Sequence, residues 1–274
     1  MRRRSAPNSG DVRPVNNPDP TGATKVAAVT LAFWIMKICA TTLGETGGDL
    51  LSMTLGLGYA ASSLILIGFF LAVLIAQLAM ARFHPALYWA VILATSTAGT
   101  TISDLMDRTL GLGYARGALI LVTLLVLVLA TWRLSLGSVS VALIAERKAE
   151  IFYWMAILVS NTLGTALGDF LADSSGLGYG ASNLLISAAI ALIALAYFLT
   201  PFSRTALFWA AFVLTRPFGA TMGDLLTKNI AQGGLGFGTA YASAVLLSVL
   251  VVFIAATTLG ERRRSAQSLE TNRT

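Results

Sequence analysis

Residues 34–59 read WIMKICATTLGETGGDLLSMTLGLGY, and this stretch sets the pattern of the whole chain. Within it, Asp49 follows Trp34 by fifteen residues. The same interval separates a tryptophan from an aspartate at three later places: Trp89 and Asp104, Trp154 and Asp169, Trp209 and Asp224. Self-similarity at a fixed interval is typical of a chain built from repeated units. The sequence therefore predicts four tandem copies of one unit.

The spacing of the copies shows a second level of order. Successive tryptophans are 55, 65 and 55 residues apart, so the first two copies superpose on the last two with a constant offset of 120 residues. This spacing indicates two successive duplications. It predicts either a pseudo-fourfold or a two-plus-two arrangement of the copies.

Two further motifs accompany each aspartate. A pair of small residues, four positions apart, ends directly before it: Gly44 and Gly48, Gly99 and Ser103, Gly164 and Gly168, Gly219 and Gly223. Such pairs let helices in lipid approach closely, so we expect the four aspartate-bearing helices to meet at a shared centre. A glycine-rich turn follows the aspartate. It reads GLGY at 56–59, 111–114 and 176–179, and GLGF, three residues late, at 234–237.

The composition identifies lipid as the solvent. The chain is 56% hydrophobic and 12% charged, with a mean hydropathy of +0.75, whereas soluble proteins have about 25% charged residues. Stretches of about 20 mostly apolar residues predict membrane-spanning helices at 26–48, 59–81, 86–106, 114–134, 150–170, 180–200, 206–226 and 238–260. The predicted fold is an all-α membrane protein whose eight transmembrane helices form four two-helix repeats in parallel orientation.

The polar segments predict the domain limits and the orientation. We expect cytoplasmic tails at 1–25, which is disordered, and 261–274, around one membrane domain at 26–258, with repeats at about 26–81, 82–136, 147–201 and 202–260. Lys and Arg concentrate in the tails and in the loops on the same side, whereas the opposite connections carry only Arg108, Arg116 and Lys228. The positive-inside rule then places both termini in the cytoplasm of a bacterial inner membrane and the aspartates toward the outside.

The carboxylates in these spans are the strongest candidates for function, because ionisable groups in a membrane are costly. Hard oxygen ligands without a Cys or His cluster suit Mn²⁺, Mg²⁺ or Ca²⁺. The predicted metal ligands are Glu45, Asp49, Asp104, Asp169 and Asp224, with Thr42, Thr97 and Thr162 as neutral oxygen ligands. The alternative is that the aspartates only cap the connection to the next helix.

Two basic residues inside the spans also need a role. Lys37 lies two turns before Glu45 and is either its counter-ion or a side chain that extends to the cytoplasmic face. Arg216 lies two turns before Asp224, where its charge could replace a metal in the fourth copy. The four repeat tryptophans are predicted to form an aromatic belt at the headgroups.

Several classes of protein are excluded or disfavoured by what the chain lacks. Its sequence has one cysteine, Cys39, and one histidine, His84, so it offers no Cys/His zinc cluster. It has no nucleophilic Ser/His/Asp set, no ATP-binding motif and no basic patch interleaved with aromatic residues for nucleic acid. We therefore expect no enzyme activity and no cofactor, with the lipid bilayer and a cationic substrate as partners; the oligomeric state stays open.

With Trp…T-x-G-x-x-x-G-D…G-x-G-Y repeated four times over residues 26–258, the chain resembles bacterial membrane proteins that carry the repeat known as domain of unknown function 347. The resemblance implies four two-span repeats and leaves the function open. Glu45-Thr46-Gly47-Gly48-Asp49 is also similar to the E-x-G-D-[KR]-[ST] motif of calcium/manganese exchangers, although it has one extra residue and no basic residue follows.

These observations together predict a secondary transporter that exports a divalent metal cation, with Mn²⁺ as the leading candidate, in exchange for protons. Two alternatives remain at this point. One is an exporter of a small organic cation that uses the same carboxylates beside aromatic rings. The other is a structural or sensory membrane protein that transports nothing.

Overall fold

The computed structural model describes residues 25–80, 83–141, 144 and 146–271, with side chains up to residue 260. The predicted tail at 1–25 lies outside this range except for Lys25, as do residues 272–274 of the second tail. The described part contains eight α-helices: α1 (Leu31–Asp49), α2 (Gly58–Ala79), α3 (Pro85–Asp104), α4 (Tyr114–Leu136), α5 (Arg147–Asp169), α6 (Gly178–Leu199), α7 (Arg204–Thr227) and α8 (Thr239–Thr271). These helices match the predicted segments within a few residues, except that α1 starts five residues later and α8 continues past residue 260.

The odd-numbered helices end in a characteristic way. In α1, α3 and α5 the repeat aspartate is the last α-helical residue, and a five-residue π-helical turn follows it: Leu50–Thr54, Leu105–Thr109 and Phe170–Ser174. Helix α7 instead stays α-helical to Thr227 and is followed by a 3₁₀ turn at Ile230–Gln232. All four helices are therefore continuous past the glycines, and in α1, α3 and α5 the backbone widens just after the carboxylate. Such π turns occur frequently at functional sites.

The helices form two concentric layers. The four odd-numbered helices, called the inner helices here, close a ring in which α1 packs on α3, α3 on α5, α5 on α7, and α7 on α1. Each even-numbered or outer helix packs on the inner helix of the following repeat, so that α2 lies on α3, α4 on α5, α6 on α7, and α8 on α1. Every repeat thus packs on the next in the same way around the ring.

Small residues set the distance between the inner helices. Gly44 lies directly against Ser96, and Gly219 directly against Thr41. A Cβ atom added to Gly99 would lie 2.9 Å from the backbone nitrogen of Thr162. The small-residue pairs therefore bring neighbouring backbones together at the ring contacts, as the sequence pattern predicts.

The glycine-rich turns show one error in the sequence-based alignment. In the first copy Gly56 and Gly58 have φ values of +70° and +74°, which favour glycine. In the fourth copy the corresponding pair with positive φ before the outer helix is Gly236 and Gly238, at +72° and +75°, and not Gly234 and Gly236 of the GLGF match. The segment from the aspartate to the last of these glycines is therefore five residues longer in this copy, and it contains the 3₁₀ turn.

Five helical segments in the described chain are long and apolar enough to cross a membrane. Four of them are the outer helices, with α8 counted only as far as Gly260, and the fifth is the segment Arg147–Ser174, which contains α5. The apolar side chains of the outer helices are mostly exposed, whereas those of α5 are mostly buried inside the bundle. The outer layer thus presents an apolar surface, which is the property expected of a protein in contact with lipid.

Candidate functional site: an ion-pair network between the inner helices

The four repeat aspartates lie in two ion-paired couples at one end of the ring, called the aspartate end here. Lys228 Nζ bridges Asp49 Oδ2 at 2.7 Å and Asp224 Oδ1 at 3.1 Å. Arg108 bridges Asp104 Oδ1 at 2.9 Å and Asp169 Oδ2 at 3.1 Å. All four aspartates are buried, while the two basic side chains remain 30% exposed for Arg108 and 15% for Lys228. Solvent therefore reaches the network through the basic residues.

The two couples follow the 120-residue offset of the sequence. Arg108 corresponds to Lys228, and each lies four residues after an aspartate of its own copy. The aspartates of α3 and α5 share one basic residue, and those of α7 and α1 share the other. The charges thus have a two-plus-two arrangement within a ring of four similar helices.

These ion pairs argue against the capping role for the aspartates. The side chains of Asp49, Asp104 and Asp169 make no capping hydrogen bond to the π turns that follow them. A carboxylate at the C-terminal end of a helix opposes the helix dipole. The neighbouring Lys and Arg side chains compensate for that placement.

A second ion pair lies deeper in the ring, on the side of the network away from the solvent. Arg216 Nη1 contacts Glu45 Oε2 at 3.0 Å, and the Arg216 side chain is fully buried. Arg216 Nη2 also donates to the hydroxyls of Thr100 and Thr165, which in turn donate to Glu45 Oε2 at 3.2 and 3.3 Å. All four inner helices contribute one residue to this cluster.

Three of the predicted metal ligands come together. Carboxylate oxygens of Glu45, Asp49 and Asp224 lie within 4.8 Å of one another, and all three residues are buried. Asp104 and Asp169 belong to the other couple around Arg108. The three-carboxylate group, on α1 and α7, is therefore the part of the predicted set that forms a buried acidic cluster.

The three predicted threonine ligands donate hydrogen bonds to the backbone of their own helices. Thr42, Thr97 and Thr162 donate their hydroxyls to backbone carbonyls of their own helices: to Ile38, to Leu93 and Ala94, and to Leu158. The hydroxyls that reach a carboxylate are those of Thr100 and Thr165. The oxygens of Thr42, Thr97 and Thr162 keep lone pairs when they donate to the backbone, so their role as metal ligands stays a prediction.

The two basic residues inside the bundle also differ from expectation. Lys37 is fully buried, so it does not extend to the surface, and its Nζ lies 3.4 Å from Asn161 Oδ1 and 4.0 Å from the centre of the Phe212 ring. Arg216, and not Lys37, is the counter-ion of Glu45. Arg216 therefore does not serve Asp224, whose basic partner is Lys228.

The repeat tryptophans close the opposite end, called the tryptophan end here. Trp89 and Trp154 are 1% exposed and Trp209 is 6% exposed, so the predicted belt at the headgroups is wrong for these three. They pack edge to face with aromatic neighbours, among them Tyr88 and Tyr153, whose hydroxyls are 2.6 Å apart. Only Trp34 is partly exposed. The rings fill the centre of the bundle and separate the ion-pair network from this end.

Sequence reasoning missed three charged residues. Arg108 and Lys228 were counted only as topology signals, although their i,i+4 spacing from an aspartate indicates an ion pair. Glu150, at the first position of a predicted span, is fully buried; Lys25 Nζ contacts it at 3.0 Å, and Gln77 also donates to it. No sequence spacing links Glu150 with Lys25 and Gln77, because the three residues are far apart along the chain.

The environment of Lys228 keeps it charged. Burial lowers the pKa of Lys228, but the carboxylates of Asp224 and Asp49 together raise it more, so that the pKa lies above its ordinary value. Lys228 is therefore a fixed positive charge at neutral pH. A cation that enters from the aspartate end would meet this ammonium group first.

The fold and the site together define a helical membrane protein of four repeats with a buried ion-pair network. Four segments, at 32–83, 87–137, 152–201 and 207–263, match the family described as Repeat of Unknown Function (DUF347). The chain belongs to this family, and the matches confirm the four predicted repeats. No curated protein matches the chain, and no solved structure matches it.

Proposed function

We propose that the protein is a secondary transporter that exports a divalent metal cation, with Mn²⁺ as the leading candidate, in exchange for protons. The observation that supports this proposal is the group of three buried carboxylates, Glu45, Asp49 and Asp224, with oxygens within 4.8 Å of one another. Hard divalent cations prefer such oxygen ligands. We assign these three residues as the ion site.

The charges around the site support an exchange mechanism. Five buried carboxylates face three ion-paired basic residues: Glu45, Asp49, Asp104, Asp169 and Asp224 against Arg108, Arg216 and Lys228. An excess of buried negative charge is neutralised by a cation or by protons, because each uncompensated charge costs several kcal/mol in a low dielectric. A metal ion and protons would therefore compete for the same oxygens.

Lys228 lies between the proposed ion site and solvent. Its ammonium group occupies the oxygens of Asp49 and Asp224 that the metal would use, and its side chain is 15% exposed at the aspartate end. Rotation of this flexible side chain toward solvent would free both carboxylates. Arg216, fully buried beneath them, would stay paired with Glu45 and limit how deep the ion enters.

The proposed topology has all eight helices crossing the membrane, with both termini on the cytoplasmic side of a bacterial inner membrane. Helices α1, α3 and α7 are 19, 20 and 24 residues long, close to the 23 of α5. They lie beside α5 in the ring and carry the polar side chains of the network, which lowers their hydropathy. The inner helices are surrounded by the outer layer, so these polar groups need not face lipid.

The test is Mn²⁺ flux in proteoliposomes under an imposed pH gradient, followed with a metal-sensitive dye. We expect proton-driven flux in the wild type and its loss in the Asp49→Asn, Asp224→Asn double variant, since two of three ligands lose their charge. Asp173→Asn makes the same chemical change at an exposed residue of the same end and should transport normally. Flux that persists in the double variant, or no flux with Mn²⁺, Zn²⁺, Co²⁺, Ni²⁺ or Mg²⁺, would refute the proposal.

A non-transporting structural role is the second candidate. The observation that favours it is that each of the four aspartates already contacts a basic side chain. The network would then hold the inner helices together and move nothing. In that case every Asp→Asn change would lower thermal stability, and the wild type would carry no metal in the same assay.

A further inference from the structure

An apolar groove lies on the outside of the bundle, at the tryptophan end, between α1, α6 and α7. Its volume is about 540 Å³, and it is separate from the ion-pair network. Most of the lining is aliphatic or aromatic, including Ile38, Ile190 and Phe208. The groove opens on the side of the bundle that the outer helices turn to lipid.

The repeats explain why a groove exists at this place. Each outer helix begins at or just after a glycine with positive φ. The residue nineteen positions after that glycine is Gln77, Trp132, Tyr197 or Thr257 in the four copies. Trp132, in α4, is buried between Phe152 and Trp209, with ring centroids 6.3 and 5.8 Å away. The chain itself thus fills this site between α4, α5 and α7.

At the equivalent site of the next repeat, the filling side chain is displaced. Leu207 is the repeat counterpart of Phe152, and Trp34 is the counterpart of Trp209. Both residues line the groove. Tyr197, the counterpart of Trp132, is 47% exposed, and Arg204 stacks over its ring at 4.2 Å. The space that Trp132 occupies in one repeat is therefore left open in the next, with an arginine at its rim.

The rim is suited to an anion. Arg204 is exposed and is the first residue of α7, and Thr30, the N-cap of α1, lines the same end of the groove. Two helix N-termini therefore lie beside a guanidinium group; the Thr30 and Ser203 side chains each cap one first-turn N–H, of Phe33 and Ala206. Both features bind phosphate.

The dimensions fit one leaflet of a bilayer. The α7 residues that line the groove run from Arg204 to Thr215, which at 1.5 Å per residue is about 16 Å. Half of the hydrocarbon core of a bilayer is roughly 15 Å. A lipid with its phosphate at Arg204 would extend its acyl chain to Thr215.

We propose that this groove binds a membrane phospholipid with an anionic headgroup, its phosphate on Arg204 and one acyl chain between α1, α6 and α7. The lipid replaces the side chain that Trp132 supplies in the neighbouring repeat. It holds α6 and α1 together, two helices that come from the third and first repeats. This proposal does not depend on whether the protein transports a metal.

The experiment is native mass spectrometry of the delipidated full-length protein, titrated with phosphatidylglycerol and with phosphatidylcholine of identical acyl chains. Both lipids offer a phosphate to Arg204, but the quaternary ammonium group of phosphatidylcholine cancels its net charge beside the guanidinium group. We therefore expect phosphatidylglycerol to bind about tenfold more tightly. Arg204→Gln should abolish this preference. Arg133→Gln, which removes an exposed arginine near the end of α4, is the matched control and should keep it.

Two further variants locate the acyl chain. Ala194→Trp places a large side chain in the groove lining, and we expect it to weaken binding of both lipids at the preferred site. Ala188→Trp adds the same group to α6 at an exposed position outside the lining and should leave binding unchanged. Equal binding of the two lipids by the wild type, a preference that survives Arg204→Gln, or unweakened binding by Ala194→Trp would overturn the proposal.

Discussion

At the scale of single residues, the ion pair of Glu45 with Arg216 is the most completely buried one in the described part of the chain. Both side chains are almost completely removed from solvent. A buried pair adds little net stability as a whole, because the charges must be desolvated. Removing one partner is costly, however, since the other charge is then left unpaired.

We predict that Glu45→Gln lowers the free energy of unfolding by about 3–5 kcal/mol, because Arg216 loses its counter-ion. Combining it with Arg216→Met, which removes the orphaned charge and keeps much of the side-chain volume, should recover most of that loss. The measurement is chemical unfolding in detergent, followed by tryptophan fluorescence. If the double variant is as unstable as the sum of the two single variants, the pair is not energetically coupled.

Arg216 also shows why the centre of the site could not be inferred from sequence. Its contact with Glu45 joins residues 171 positions apart, and local spacing suggested Asp224 as the partner instead. The spacings of Arg108 and Lys228 from their aspartates were visible, because these pairs are local. Sequence patterns identified the five carboxylates and Arg216, but they missed Arg108 and Lys228 as members of the network and predicted none of its ion pairs.

At the scale of helices, the close contacts at glycine are the feature on which the ring depends. Helices in lipid gain little from burying apolar surface, so their association rests on tight packing. At Gly99 the neighbour is the backbone of α5, which cannot move aside as a flexible side chain could. Gly47, by contrast, faces only a methyl group of Thr97, 3.6 Å from where a Cβ would lie.

We predict that Gly99→Ala separates α3 from α5 and lowers the melting temperature clearly, whereas Gly47→Ala leaves it within about 1–2 °C. The physical reason is the cost of overpacking, about 1–3 kcal/mol; Gly47→Ala, moreover, gains helix propensity. Thermal unfolding of the two variants in the same detergent tests this. Equal melting temperatures would show that the α3–α5 contact is not limiting.

The helices themselves were the most predictable part of the structure. Long apolar segments and fixed repeats determine where helices lie, and all eight predicted segments contain one. The turn of the fourth copy was misaligned because a glycine's φ value, and not its place in GLGF, decides which glycines are equivalent. The tryptophans were misplaced because hydropathy does not distinguish a ring at the headgroups from a ring inside a bundle.

At the scale of the whole molecule, the parallel arrangement of the repeats makes a simple prediction about topology. Leu57 and Leu177 lie in equivalent connections at the aspartate end and are each 46% exposed, and Phe202, at the other end, is 66% exposed. If every repeat crosses the membrane twice, Leu57 and Leu177 face one side of the membrane and Phe202 faces the opposite side.

We predict that single cysteines at positions 57 and 177, in a Cys39→Ala background, react with an impermeant maleimide added to intact spheroplasts. A cysteine at position 202 should react only after the membrane is permeabilised. Buried Cys39 is removed so that each signal has one source. Labelling of positions 57 and 177 from opposite sides would contradict the parallel repeats and the eight crossings.

The unequal halves of the molecule also limit how it could be assembled. At the 120-residue offset, Glu45 corresponds to Thr165 and Arg216 to Ser96, so each half of the chain carries one member of the central ion pair. At the position of the central ion pair, a homodimer of the first half would enclose two glutamates and no arginine. A homodimer of the second half would enclose two arginines and no glutamate there. Separated at the loop after α4, the two halves could therefore reconstitute the bundle only as an obligate heterodimer.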